Sequence, residues 1–114
     1  MGFIKRMVLS ALAVIIGAYI LPGVEVDGFF TALIVALILA FLNSTVKPIL
    51  VIFTIPITIL TLGLFLLVIN SIMILLADWF ISGFEVSGIG WAFLLSIVLT
   101  ILNSLFSDLN KEKS

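Results

Sequence analysis

The chain has 114 residues, of which 64% are hydrophobic and only 10% charged, with a formal net charge of −1 and a mean hydropathy of +1.52. So little polar surface cannot cover the core of a soluble domain of this length, which points to an integral membrane protein. The lack of Cys and His excludes disulfides, thiol nucleophiles, Cys/His zinc sites and imidazole acid–base chemistry, and the near-zero charge argues against a nucleic-acid partner.

Basic residues Lys5 and Arg6 precede an apolar run from Met7 to Leu21. This is the outline of a signal peptide without a small-x-small cleavage site before Pro22, so we read residues 3–21 as a retained first span. Pro22-Gly23 stops it. Val24-Glu25-Val26-Asp27 alternates apolar and acidic residues, the period of an extended segment, and Asp27 is placed to cap the next helix. The second span covers about residues 28–45 and ends at Val46-Lys47-Pro48. Residues 48–62 are apolar, broken by Pro56, and shorter than the roughly 17–25 residues that a span requires. They predict a short re-entrant or interfacial helix that returns to the side it left; the alternative is a fifth span, which would put Lys111 and Lys113 outside. Residues 64–81 form the third span and 82–87 a second extended connector, with Ser87 in the capping position. Residues 88–106 form the fourth span, and 107–114 a polar tail.

The halves are related by an offset of sixty. Ala32, Ala36, Ala40 and Ser44 recur as Ala92, Ser96, Thr100 and Ser104, and Gly23-Val24-Glu25-Val26 recurs as Gly83-Phe84-Glu85-Val86. We therefore read one membrane domain: repeat one at about 3–47, an insert at about 48–62, and repeat two at about 63–106. Two spans per repeat give the halves the same orientation, about a pseudo-two-fold axis along the membrane normal. With the N-terminus inside, Lys5, Arg6, Lys47, Lys111 and Lys113 all fall on the cytoplasmic side, as the positive-inside rule requires. Glu25, Asp27 and Glu85 then lie outside, and Tyr19, Trp79 and Trp91 gather at the outer interface.

Few residues offer chemistry. Small side chains every four residues line one helix face and permit close approach, so Ala32, Ala36 and Ala40 are expected to face Ala92, Ser96 and Thr100 across the axis. Packing is the plainer role for these stripes, and a polar pathway or oligomer seam the functional one. Asn70 lies well inside the third span, where an unpartnered amide costs roughly 2–7 kcal/mol. Interhelical bonding and pore lining both follow. Asn43 and Asn103 stand near cytoplasmic helix ends. Asp78 is the one carboxylate within a span and a candidate for an ion path, although the helix end one turn away also suits it. Glu25 and Glu85 sit on the wet face of an expected antiparallel ribbon joining residues 24–26 to 84–86. No catalytic, metal or cofactor constellation is present.

Leu21-Pro22-Gly23-Val24-Glu25-Val26-Asp27-Gly28-Phe29, then Asn43 to Lys47-Pro48, then Pro56 and Leu62-Gly63-Leu64-Phe65 leading to Ile69-Asn70, resemble the four-span phage-holin family known from mycobacterial phages. The resemblance covers nearly the whole chain and implies a multi-pass protein of the bacterial inner membrane. The second connector departs from the first, with Ser82 for Pro22 and Ser87 for Asp27. The fold expected is an all-α membrane bundle of four spans in a two-fold repeat, with both termini cytoplasmic. The function expected is a holin-like protein that meets the lipid bilayer, forms a homo-oligomer through helix faces and permeabilises the membrane, without catalysis or cofactor. The alternatives are a non-lytic structural or envelope-associated protein and a small ion or proton-coupled transporter using Asp78.

Overall fold

In lipid, a chain must satisfy its backbone hydrogen bonds within itself, so long apolar runs fold as helices. The computed structural model describes the backbone of residues 2–113 and the side chains of residues 2–106. Along the chain come α1 (Gly2–Ile20), β1 (Val24–Val26), α2 (Phe29–Phe53), α3 (Ile55–Leu60), α4 (Phe65–Phe80), β2 (Phe84–Val86) and α5 (Ile89–Lys113). Helices α1, α2 and α5 (the last over Ile89–Phe106) are long and apolar enough to cross a membrane; α4, at 16 residues, is a shorter apolar helix. At 1.5 Å per residue α4 rises ~24 Å, and the turn at 61–64 that precedes it adds length. The protein is an all-α four-span membrane protein with one small ribbon.

That ribbon ties the repeats together. Strands β1 and β2 pair antiparallel, with Val24 opposite Val86, Glu25 opposite Glu85 and Val26 opposite Phe84. The ladder continues one residue beyond each end: Asp27 N–H donates to Gly83 O at 2.7 Å, and Ser87 N–H to Gly23 O at 2.8 Å. These bonds exchange under the offset of sixty, as a two-fold axis through the ribbon demands. Alternation puts Val24, Phe84 and Val86 into the core while both glutamates face out. The extended connectors expected from the sequence, and their pairing, are thus present.

Both connectors lie at one end of the bundle, so α2 descends to the other end and α4 rises from it. The helices form a ring: α1 packs against α2 and α5, and α4 against α5 and α2. Short helix α3 bridges α2 and α4 at the end away from the ribbon, its large apolar residues Ile59 and Leu60 uncovered. This keeps the even number of crossings.

Three local expectations change. First, α2 continues through Pro48 to Phe53, beyond the end expected at residue 45. Pro48 removes one N–H, but a membrane gives the chain no better route to saturate the remaining bonds than staying helical. Second, Asp27 does not cap α2. Gly28 takes the N-cap position at φ +100° with no side-chain cap bond, and Asp27 is committed through its backbone to Gly83. Gly88 repeats the left-handed φ at +119° before α5, a conformation that L side chains resist. Third, α5 runs on to Lys113, through most of the expected tail; side chains 107–114, including Lys111 and Lys113, lie outside the described residues.

Candidate functional site

The small-residue stripes stand on α2 and α5, which occupy opposite corners of the ring and do not come into backbone contact. The expected face-to-face packing of Ala32, Ala36 and Ala40 against Ala92, Ser96 and Thr100 is therefore corrected. The spacing reveals which face turns inward and says nothing about which helix stands opposite. At the ribbon end the stripes make room for inserted side chains: Ala32 and Ala92 are fully buried in a cluster with Phe84, Val24 and Val86. Toward the other end no strand descends between the helices. There the same small residues leave a cavity of about 650 Å³.

This vestibule opens at the end of the bundle remote from the ribbon, where Arg6 and Lys47 stand. Its walls carry Asn43, Asn70, Asn103, Ala40, Thr100 and Ser104. Its floor is Val14, Ala36, Met73, Ile74 and Ser96, all buried. The lining follows the repeat, pairing Ala36 with Ser96, Ala40 with Thr100, Asn43 with Asn103 and Ser10 with Asn70.

Asn70 is half-buried and opens onto this space; among the described residues, no side chain bonds to its amide across the helices. Ser96 spends its hydroxyl on its own helix, donating to Phe93 O at 2.7 Å, as Ser71 does to Leu67 O at 2.8 Å. Asn43, Asn103 and Thr100 line the wall near the mouth. Of the sites read from sequence, the vestibule gathers Asn43, Asn70, Asn103, Ser96, Thr100, Ala36 and Ala40, and it excludes Ala32, Ala92 and Asp78.

Asp78 serves the ribbon. In an antiparallel ladder the N–H groups of alternate residues point off the edge. With residues 23/87 and 27/83 bonded across the ribbon, Val86 directs its N–H outward. Asp78 Oδ2 accepts it at 3.0 Å. Repeat one has Ala18 at the equivalent position, so the latch is one-sided. Glu25 and Glu85 face each other on the exposed side of the ribbon.

Sequence reasoning missed Ser10, and it read Arg6 and Lys47 only as topology signals. The offset of sixty was the available clue, since it places Ser10 on Asn70.

Solvent access gives the vestibule a direct test, because the chain contains no cysteine. Ala40→Cys is expected to react with a charged, water-soluble thiol reagent. Ala32→Cys, fully buried beneath the ribbon, is expected to react more than about tenfold slower, since reaction there requires local opening. Equal rates would mean that the bundle is open along its length.

Comparison with known proteins places the fold. Residues 1–105 match the family described as mycobacterial 4 TMS phage holin, superfamily IV. An uncharacterized membrane protein of Bacillus subtilis, YvlD, is 38% identical over 103 residues, covering 90% of this chain and 86% of that protein. An uncharacterized protein of Streptomyces coelicolor, SCO3922, is 34% identical over 121 residues, covering 94% of this chain and 97% of that protein. No solved structure matches the chain.

Proposed function

This chain belongs to the mycobacterial four-span phage-holin superfamily IV, and on that premise we propose that it assembles laterally in the bacterial inner membrane and permeabilises it. Membership of that family points to a non-enzymatic membrane protein. The observation that carries the proposal is the vestibule. A polar cavity enters the bundle from one end and stops at an apolar floor roofed by the ribbon, so one closed layer separates it from the far side. Permeabilisation on this reading is the parting of that layer, with copies associating through outer faces that carry Leu37, Phe41, Leu94 and Ile101. Clustering of Lys5, Arg6 and Lys47 at the vestibule end supports a cytoplasmic orientation for that end and for both termini, by the positive-inside rule.

A second reading, a non-lytic membrane protein working with an envelope partner, is favoured by the closed state itself. Val14, Ile74, Leu95 and Phe84 are all buried in the layer that blocks the path. Engagement of Asp78 by the Val86 amide counts against a proton-coupled transporter.

Inducible expression in bacteria, with and without a cytosolic cell-wall hydrolase, separates the first two readings. Permeabilisation predicts a timed loss of membrane potential and hydrolase-dependent lysis. Stable potential at confirmed membrane expression would overturn it and leave the non-lytic reading.

A further inference from the structure

We propose that the vestibule is a binding site for a phosphate anion, held between Arg6 and Lys47, with Asn43 beside them on α2, and the amides of Asn70 and Asn103 on the opposite wall. The site requires no opening of the bundle; it arises where the repeat is broken. Neutral polar lining residues recur in both repeats at Ser10/Asn70, Asn43/Asn103 and Ser44/Ser104, but the cations do not: repeat two has Leu66 in place of Arg6 and Ser107 in place of Lys47. Both charges therefore sit on the adjacent helices α1 and α2, and the vestibule has one cationic wall in an otherwise symmetric frame.

Among the described residues neither Arg6 nor Lys47 has an ion-pair partner, and none of the described residues that line the cavity is a carboxylate. Two cations beside low-dielectric walls attract an anion far more strongly than they would in open water. A guanidinium fork matches two oxygens of a tetrahedral phosphate, while an ammonium supplies a point charge. The carboxamides of Asn43, Asn70 and Asn103 supply neutral donors for the remaining oxygens. At about 650 Å³ the space lies within the range of small-molecule sites, roughly 300–1,000 Å³. The shared chemistry is a phosphate ester or free phosphate, and two sources supply it: the headgroup of an anionic phospholipid, or a soluble phosphate entering from the basic end.

The test uses the full chain in phosphatidylcholine nanodiscs, followed by phosphorus NMR. One arm adds phosphatidylglycerol to the discs and the other titrates inorganic phosphate. Binding in the first arm alone identifies a lipid headgroup. Displacement of the lipid by inorganic phosphate identifies a soluble ligand. Either supports the site. Arg6→Gln and Lys47→Gln are each expected to weaken binding about fivefold, and together about 30-fold, as for basic residues at an anionic surface. Arg6→Lys is expected to fall between wild type and Arg6→Gln, since it keeps the charge and loses the fork. Lys5→Gln changes the net charge equally but does not touch the cavity lining, and is expected to leave binding unchanged. Circular dichroism checks that each variant keeps its helix content. Equal weakening by Lys5→Gln, or a wild-type chain without preference for phosphatidylglycerol or phosphate, would overturn the proposal.

Discussion

Phe84→Ala is expected to destabilise the folded bundle by about 3–5 kcal/mol, the cost of removing a fully buried aromatic ring. Phe84 has no exposed surface, and its ring fills the space over the small residues Ala32 and Ala92 in the ribbon-end cluster. Its position at the membrane boundary enlarges the effect. A side chain within a span passes from protein into lipid when helices separate and forfeits only packing. The ribbon, whose outer face carries Glu25 and Glu85, passes into water, and its apolar face then bears the hydrophobic cost as well. Unfolding in mixed micelles by titration with sodium dodecyl sulfate measures this. Phe30→Ala, at a ring that is 74% exposed, is the matched control and is expected to stay within about 0.5 kcal/mol of wild type. Similar losses for the two would mean that the ribbon does not seal the bundle.

Much of this architecture was legible because the chain repeats itself. One alternating segment, Val24-Glu25-Val26, gives an ambiguous extended loop. A second at the same offset, with glutamate again in the middle, predicts a partner and a register. Glu25 does stand opposite Glu85, because a two-fold axis through a two-stranded ribbon must pass between equivalent residues. The stripe of small residues was legible as a helix face for the same reason. The ring order was not. A two-fold repeat of helical hairpins can place α2 beside α5 or diagonal to it, and small inward residues suit both arrangements. The ring has them diagonal, so small residues that would have drawn two helices together instead hold open a cavity.

The extension of α2 was hidden by Pro48, whose penalty within a helix in water suggests a stop. In lipid the alternatives are worse, and the helix persists. Arg6 and Lys47 were conspicuous in sequence, but their usual meaning, the cytoplasmic end, concealed that the bundle gathers them at one cavity wall. Asp78 was conspicuous too. Its amide partner on Val86 depends on which ladder positions point outward, and only the register decides that.

The same symmetry separates two kinds of glycine requirement. A Cβ on Gly23 would run into the indole of Trp91, whereas a Cβ on Gly83 would lie 2.9 Å from Asp27 Cβ with Thr31 close by. Residues 31 and 91 are equivalents, so each repeat's glycine packs against the helix of the other. Gly83 also holds φ at +90°, and Gly23 has no positive φ. Gly23→Ala is therefore expected to cost about 1–3 kcal/mol purely through overpacking. In a Trp91→Ala background, where the ring is gone, the same substitution is expected to cost less than about 0.5 kcal/mol, a coupling typical of residues in direct contact. Gly83→Ala admits no such rescue, because its left-handed backbone penalises any L side chain and the Cβ it meets belongs to every residue that could replace Asp27 except glycine. A double-mutant cycle in the same micelle titration measures both. Full additivity of Gly23→Ala with Trp91→Ala would mean that α5 does not lie against the first connector, and the exchanged packing that joins the two repeats would have to be redrawn.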